Sequence, residues 1–219
     1  KQNEKELRRW HNQRVERLVR EDIRDLENIR ELSLLQVLVD ILSDRVGSLL
    51  SLNSLREDLS VAHKTVAHWV DILERFYYHF RIYPFHHRKI RSLKKEPKLY
   101  LWDWSEVPEE RGARLENIVA SHLLKMCHFL NDVEGYRTDL HFLRDVEARE
   151  IDFLVTENGK PWFAVEVKSN SREVSKKLLY FGDRLNIPFL YQTVSEKDVD
   201  IRKDKVRIIS LDRFMVSLV

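Results

Sequence analysis

Two different spacings of hydrophobic residues alternate along this chain and divide it into helical and stranded segments. Residues 1–31 carry a thin apolar stripe at helical spacing among many charged side chains, which predicts an exposed linker helix. The following part, 32–104, shows the element order of a winged helix-turn-helix. The predicted helices lie at about 34–47, 53–59 and 62–80, and the predicted strands at 81–85 and 98–102.

The second half of the chain, 105–219, has the pattern of a layered α/β module. A turn signal at 157–161, between two apolar runs, predicts a β-hairpin. The predicted helices lie at about 113–130, 172–185 (with Ser171 as N-cap) and 211–218, and the predicted strands at 150–155, 164–168, 188–192 and 206–209. The polar segment 105–110 predicts a boundary between two modules. One continuous sheet through Tyr100 and Phe153 would contradict that separation.

Composition and charge exclude several classes of protein. Hydrophobic residues make up 43% of the chain, which is ample for a core, and the formal net charge of +2 assigns no partner by itself. The single cysteine, Cys127, excludes an internal disulfide and a cysteine-based zinc cluster. No apolar run reaches the length of a membrane span and no signal peptide is visible, so we expect a cytoplasmic protein without a membrane partner.

Charged residues on two neighbouring predicted strands are the strongest candidates for chemistry. Because side chains alternate along a strand, Glu166 and Lys168 point to one side, and the hairpin brings Asp152 beside Glu166. Paired carboxylates are typical Mg²⁺ or Mn²⁺ ligands in phosphodiester hydrolases, and Glu116 of the preceding helix adds a third. Each feature also has an ordinary explanation, since Glu-x-Lys pairs often lie on exposed strand faces and a lone helical glutamate is usually solvated. Their ordered occurrence favours a metal site.

The segment between the two strands of the first half is strongly basic. Residues 86–98 contain six lysines and arginines and one glutamate, which is typical of a wing that contacts nucleic-acid phosphates. A solvated surface loop accounts for the same composition equally well. The predicted nucleic-acid contacts are Arg88, Lys89, Arg91, Lys94 and Lys95, together with Arg144 of the second half.

Several separated motifs together resemble a known superfamily, the PD-(D/E)XK nucleases of restriction-endonuclease-like fold. The residues that carry this resemblance are Glu116, Asp152, Glu166 and Lys168, with Ile151 in place of the proline of that name. The chain is still more similar to the C-terminal region of prokaryotic AAA-type ATPases that end in a domain of unknown function. The motifs that carry this similarity are Lys98-x-Tyr100-x-x-Asp103, Gly112-x-x-x-Glu116-Asn117, Glu150-Ile151-Asp152-Phe153 and Glu166-Val167-Lys168.

The resemblance implies an α/β protein in which a winged helix-turn-helix (32–104) precedes a nuclease-like domain (105–219). It implies that Asp152 and Glu166 hold Mg²⁺ or Mn²⁺, with Glu116 binding directly or through water. Lys168 would orient or deprotonate the attacking water. Nucleic acid, with DNA favoured, is the implied substrate, and an N-terminal ATPase domain is the implied partner.

The glycine positions bear on the ATPase function itself. None of the five glycines begins a phosphate-binding loop of the G-x-x-x-x-G-K-(S/T) type, so we expect the chain to be a C-terminal piece that does not bind ATP. The alternative function is a non-catalytic DNA-binding or regulatory module on a nuclease-like scaffold. Enzymatic activity, substrate specificity and oligomeric state stay open on the sequence alone.

Overall fold

The computed structural model describes residues 4–23, 31–86, 95–108, 112–171 and 173–218. The first half contains α1 (Glu4–Arg17), a π-helical turn (Leu18–Ile23), α2 (Leu32–Asp44), α3 (Leu52–Leu59), α4 (His63–Arg75), β1 (His79–Pro84) and β2 (Lys98–Leu101). The second half contains a 3₁₀ turn (Trp104–Glu106), α5 (Ala113–Asp132), β3 (Thr138–Arg144), β4 (Glu150–Glu157), β5 (Lys160–Lys168), α6 (Lys176–Leu185), β6 (Phe189–Val194), β7 (Asp200–Lys203), β8 (Val206–Ser210) and α7 (Leu211–Val216). The predicted α/β class is confirmed, whereas the winged-helix and restriction-endonuclease-like assignments stay predictions.

The strands of the described residues form one mixed sheet in the order β2-β1-β3-β4-β5-β6-β8-β7. The two halves of the chain meet where β1 runs parallel to β3, with Tyr83 opposite His141. The sheet is therefore continuous from Tyr100 to Phe153, and one hydrophobic core contains buried residues of both halves. The expectation of two structurally separate modules is wrong, because pairing with β3 satisfies an edge of β1 that would otherwise be exposed. The residue ranges of the domains stay predictions.

The segment between α2 and α3 covers the outer edge of β2. The backbone N–H of Gly47 donates to the carbonyl of Leu99 (2.9 Å), and that of Leu50 donates to the carbonyl of Pro97 (2.7 Å). This cover satisfies backbone groups that an edge strand leaves open, and all four residues of β2 are buried. As a result, even Lys98 lies inside the protein, with 3% of its surface exposed.

The third helix of the first half is shorter than its apolar spacing predicts. α4 ends at Arg75, and Tyr77 has a left-handed backbone (φ 56°), which prevents the helix from continuing. The aromatic residues that follow favour a strand, and Phe80 stacks on Tyr100 with ring centroids 5.7 Å apart. The prediction of a helix as far as Phe80 is therefore wrong, and this residue belongs to β1.

The hairpin of β4 and β5 forms as the turn signal predicts. Asn158 and Gly159 both have a positive φ (51° and 75°), which suits the tight turn between two twisted strands. Phe153 lies opposite Val165 in the antiparallel register. Continuing this register by one residue on each strand places Asp152 opposite Glu166.

The start of α6 differs from the sequence prediction. The helix begins at Lys176, and its N-cap is Ser175, whose hydroxyl accepts the backbone N–H of Leu178 at 3.3 Å. The prediction of Ser171 as N-cap is wrong, because the helix begins only at Lys176; the backbone N–H of Ser171 donates to the carboxylate of Glu196 (2.8 Å). The strands β3 and β7 were also not among the predicted elements.

Two expectations from composition can be compared with the fold. Cys127 is a free, buried residue of α5, and burial raises the pKa of its thiol to about 11, so the reactive thiolate is rare at neutral pH. Within the described ranges, every helix is too short or too polar to cross a lipid bilayer.

Candidate functional site

Charged side chains and one tyrosine, from three strands and one helix, converge at one end of the sheet. They are Lys98 and Tyr100 on β2, Glu116 in the first turn of α5, Glu150 and Asp152 on β4, and Glu166 and Lys168 on β5. We call the four carboxylates, Glu116, Glu150, Asp152 and Glu166, the acidic cluster. The structure thus brings together all four residues that the sequence nominated as catalytic: Glu116, Asp152, Glu166 and Lys168.

Asp152 lies at the centre of the acidic cluster. Its Oδ2 accepts the backbone N–H of Val167 on the neighbouring strand at 2.8 Å. Burial raises the pKa of Asp152 well above its ordinary value, and the nearby charges of Glu116 and Glu166 raise it further. Lys98 and the Val167 hydrogen bond oppose this rise only in part. Burial and the neighbouring carboxylates therefore disfavour the charged form of Asp152 in the metal-free cluster.

Glu116 is fixed in place by both halves of the chain. The side chain of Asn117 accepts the N–H of Leu101 (2.8 Å) and donates to its carbonyl (2.7 Å), which ties the first turn of α5 to β2. The Tyr100 hydroxyl donates to Glu116 Oε1 at 2.7 Å. A Cβ added at Gly47 would lie 3.3 Å from that same oxygen, so the loop after α2 closes against the carboxylate.

Lys98 places an ammonium group inside the acidic cluster. Its Nζ lies 2.7 Å from Glu150 Oε1, 3.1 Å from Glu116 Oε1 and 3.9 Å from Asp152 Oδ1. Burial alone lowers the pKa of Lys98, but the three carboxylates outweigh burial and raise the pKa above its ordinary value. The side chain therefore stays charged while almost fully enclosed.

Sequence reasoning did not identify Lys98, Tyr100 and Glu150 as parts of the site. A signal for them exists, because residues two apart on a strand share one face. Lys98 and Tyr100 form one such pair on β2, and Glu150 and Asp152 form another on β4. Lys98 was instead counted among the cations of the basic loop that precedes it.

Glu166 and Lys168 form the outer part of the site on β5. Lys168 Nζ lies 2.9 Å from Glu166 Oε1, so the two side chains lie on the same side of the strand, as the alternation predicts. Burial lowers the pKa of Lys168, but the hydrogen bond and charge of Glu166 outweigh it and raise the pKa. The other oxygen, Glu166 Oε2, is buried and has no hydrogen-bond partner among the described residues. This oxygen is an unused acceptor.

The predicted ligands have the chemistry of a divalent metal site. Carboxylate oxygens are the hard ligands that Mg²⁺ and Mn²⁺ prefer, and Glu166 Oε2 is a buried acceptor without a partner. Burial, and then the charges of Glu116 and Glu166, raise the pKa of Asp152, and a bound cation would oppose that rise. The ligand oxygens are nevertheless spread apart: among the described residues, a group of three within 4.8 Å of one another occurs only at His11, Asp103 and Glu106.

The group of His11, Asp103 and Glu106 already contains a cation, the guanidinium group of Arg14 from α1. Arg14 lies 3.3 Å from Asp103 Oδ2 and 2.8 Å from Glu106 Oε1. His11 Nε2 lies within hydrogen-bond distance, 2.8 Å, of the Ser105 hydroxyl. We call this group the Arg14 cluster. Its potential ligand atoms are engaged with Ser105 and with Arg14, so we do not consider it a candidate metal site.

Two of the predicted nucleic-acid contacts lie among the described residues. Arg144 pairs with Glu150 at 2.8 Å while 39% of its side chain is exposed, so it stands at the rim of the acidic cluster. Lys95 is exposed and lines a cavity of about 280 Å³ together with Asn53 and His63. The other predicted contacts, Arg88, Lys89, Arg91 and Lys94, lie outside the described residues.

Two family models match the chain, one for each half. Residues 1–106 match a domain of unknown function (DUF8612), and 111–214 match another domain of unknown function (DUF4143). DUF4143 domains are commonly found at the C-termini of AAA ATPase-associated proteins. No curated protein and no solved structure matches the chain. The acidic cluster lies within the second matched region, whereas Lys98 and Tyr100 belong to the first.

Proposed function

We propose that this protein is a metal-dependent phosphodiester hydrolase that acts on nucleic acid, with DNA as the favoured substrate. One observation carries the proposal: three carboxylates and a lysine converge at one end of the sheet. They are Glu116, Asp152, Glu166 and Lys168. The buried Glu166 Oε2, which has no hydrogen-bond partner among the described residues, separates this site from the Arg14 cluster, where Arg14 contacts both carboxylates.

In this proposal the acidic cluster holds the metal. Asp152 and Glu166 would bind Mg²⁺ or Mn²⁺, and Glu116 would bind it directly or through a water. The bound ion would supply Lewis-acid activation of a water and of the scissile phosphate. The unused Glu166 Oε2 offers an acceptor for the ion without breaking the pair that Oε1 makes with Lys168.

In the proposed reaction Lys168 would act on the water and the phosphate. With 42% of its side chain exposed, it can reach a substrate at the mouth of the site while Glu166 keeps its ammonium group in position. Its raised pKa favours the charged form. A charged lysine orients the water and stabilises negative charge on the phosphate, so we favour these roles over deprotonation of the water.

The remaining partners follow from charge and from the matched domains. Arg144 at the rim would hold the nucleic-acid backbone, together with Lys95 and the basic residues of the loop before β2. The occurrence of DUF4143 at the C-termini of AAA ATPase-associated proteins supports an N-terminal ATPase domain as the partner of this chain.

A second function is favoured by one specific contact, the ammonium group of Lys98 among three carboxylates. This ion pairing gives the cluster a cation without any metal. A protein that uses the acidic cluster only as a structural core would be a non-catalytic DNA-binding or regulatory module.

A plasmid-nicking assay with Mn²⁺ and with Mg²⁺ tests the proposal, alongside calorimetry for Mn²⁺ binding. The wild type is expected to bind Mn²⁺ and to nick, and Glu166→Gln is expected to lose both. Glu157→Gln is the matched control, because this glutamate lies at the opposite end of the same strand pair, facing Lys160. Failure of the wild type to bind the metal would reject the hydrolase and favour the non-catalytic module.

A further inference from the structure

The position of Lys98 is unusual for a site that is to hold a metal ion. Its Nζ lies 3.1 Å from Glu116 Oε1 and 3.9 Å from Asp152 Oδ1, two oxygens of the proposed ligand set. A divalent ion would approach the same oxygens to about 2.1 Å. The ammonium group and the ion would therefore share these carboxylates at very short separation.

Electrostatics makes that arrangement unfavourable. A singly charged ammonium and a divalent ion repel each other strongly at such distances, and burial weakens the screening by water. With 4% of its side chain exposed, Lys98 cannot move its charge into solvent without a large rearrangement. Binding of a metal by Glu116 and Asp152 thus requires the ammonium group to withdraw from both.

The structure also shows where the ammonium group can withdraw to. Glu150 is the nearest partner of Lys98, at 2.7 Å, and it lies on the same strand face as Asp152 but farther from Glu166. Its second oxygen is held by Arg144 at 2.8 Å, which anchors the carboxylate at the rim of the cluster. Glu150 can therefore retain Lys98 when the other two carboxylates release it.

We propose that Lys98 is a built-in counter-ion that a divalent metal must displace from Glu116 and Asp152. The proposal rests on the hydrolase function and deepens it. It states that the affinity for the metal is set by the exchange of the Lys98 ammonium group for the metal ion at these two carboxylates. Lys98 pairs with these carboxylates when no metal is bound, and it lowers the affinity for the metal. Since β2 belongs to the first matched region and the carboxylates to the second, the first half of the chain controls a site carried by the second half.

Mn²⁺ titration of variants in a calorimeter tests the exchange. Lys98→Met removes the cation. The double variant Lys98→Met/Glu150→Gln removes one charge of each sign, so it leaves fewer unpaired carboxylates in the folded protein than Lys98→Met alone. We expect the double variant to bind Mn²⁺ about tenfold or more tightly than the wild type. Glu150→Gln alone should bind Mn²⁺ no more tightly than the wild type, because Lys98 then stays with Glu116 and Asp152.

The control is Lys160→Met, which removes a lysine from the far end of β5 and should leave Mn²⁺ affinity unchanged. The rise in melting temperature with Mn²⁺ provides a second readout and should be larger for the double variant than for the wild type. Equal affinities of the wild type and the double variant, or no binding by either, would overturn the exchange.

The outcomes also separate this inference from the hydrolase proposal. A double variant that binds Mn²⁺ while the wild type neither binds nor nicks would support the exchange and reject the hydrolase. A wild type that binds and nicks, with a double variant that binds no more tightly, would support the hydrolase and reject the exchange.

Discussion

The acidic cluster and the Arg14 cluster contain the same kinds of side chains and differ in how completely their charges are paired. In the Arg14 cluster, Arg14 contacts both carboxylates, and Asp103 also accepts hydrogen bonds from the backbone and hydroxyl of Ser105. In the acidic cluster, Glu166 Oε2 has no hydrogen-bond partner among the described residues, and Asp152 has a strongly raised pKa.

The comparison shows that short distances between possible ligands do not by themselves make a metal site. The potential ligands of the Arg14 cluster lie within 4.8 Å of one another, and those of the acidic cluster are more widely spread. Yet a cation gains more where negative charge is left uncompensated and an acceptor is left unused. The buried acceptor Glu166 Oε2 and the disfavoured charge of Asp152, and not the proximity, identify the acidic cluster as the functional candidate.

The largest expected effect is on cleavage, and it should be confined to one of the two clusters. Glu166→Ala is expected to abolish both nicking and the Mn²⁺-induced rise in melting temperature, because it removes a proposed metal ligand. Lys168→Ala should keep Mn²⁺ binding and lower the nicking rate about 10²-fold or more, because the proposed role of this lysine is to act on water and phosphate. Nicking assays and thermal melts with Mn²⁺ measure both effects.

The matched control for this prediction is Glu106→Gln in the Arg14 cluster, which should leave the Mn²⁺ effect and nicking unchanged. Loss of the Mn²⁺ effect in Glu106→Gln would mean that the metal binds there, and it would reverse the ranking of the two clusters.

The second prediction concerns the stability of the metal-free protein. Arg14→Met should lower the free energy of unfolding by about 1–2 kcal/mol, because it leaves two partly enclosed carboxylates without their cation. The loss is no larger because 34% of the Arg14 side chain is exposed to water, which weakens the ion pairs. Glu166→Gln should lower the free energy of unfolding by less, since it removes one of several carboxylates that repel one another. Urea unfolding in EDTA compares the two variants. A larger loss in Glu166→Gln would show that the acidic cluster is already well compensated.

The sequence predicts those features that short segments determine. Asn158 and Gly159 specify the hairpin turn, and the alternation around Glu166 and Lys168 places both on one side of β5. These local rules bring together two of the four strands and helices that build the site. They also predict the mixed α/β class.

The features that sequence reasoning missed depend on contacts between distant segments. The pairing of β1 with β3 joins Tyr83 to His141, and neither segment carries a local sign of that neighbour. Lys98 resembles a loop cation because Lys94 and Lys95 precede it, yet the edge cover by the α2–α3 segment buries it. The site is therefore predictable in three of its carboxylates, Glu116, Asp152 and Glu166, and not in Glu150 or in the cation that the other half supplies.

The third prediction uses the raised pKa of Asp152. A carboxyl group whose pKa is higher in the folded than in the unfolded state binds its proton preferentially when folded. The metal-free protein should therefore lose stability as the pH rises from about 4 toward the folded-state pKa, by at most about 1.4 kcal/mol per pH unit. Asp152→Asn should remove most of this decline while its amide oxygen still accepts the Val167 N–H.

The Arg14 cluster supplies the contrast for the pH prediction. Burial also raises the pKa of Glu106, but the charge of Arg14 opposes it. Glu106→Gln should thus remove a smaller part of the decline than Asp152→Asn. Denaturant unfolding in EDTA at several pH values between 4 and 8 measures both, and an unchanged pH profile in Asp152→Asn would contradict the assignment of excess charge to the acidic cluster.

The smallest expected effect concerns Arg144 at the rim of the acidic cluster. Unlike Arg14, which two carboxylates hold, Arg144 pairs with Glu150 and keeps an exposed side chain, so it can release its partner and bind a phosphate. Arg144→Gln should lower the log–log salt slope of DNA binding by about 0.9, the value of one phosphate contact on duplex DNA. Stability should change by less than about 0.5 kcal/mol, as expected of a surface pair.

Arg207→Gln is the matched control for Arg144, because Arg207 is an exposed arginine paired with Asp200 on the far edge of the sheet. Salt titrations of duplex binding should give the wild-type slope for this control. An unchanged slope in Arg144→Gln would remove Arg144 from the nucleic-acid contacts. The binding surface would then have to lie on the basic loop of the first half. Arg144 would resemble Arg14 in serving only as an ion-pair partner of carboxylates within the protein.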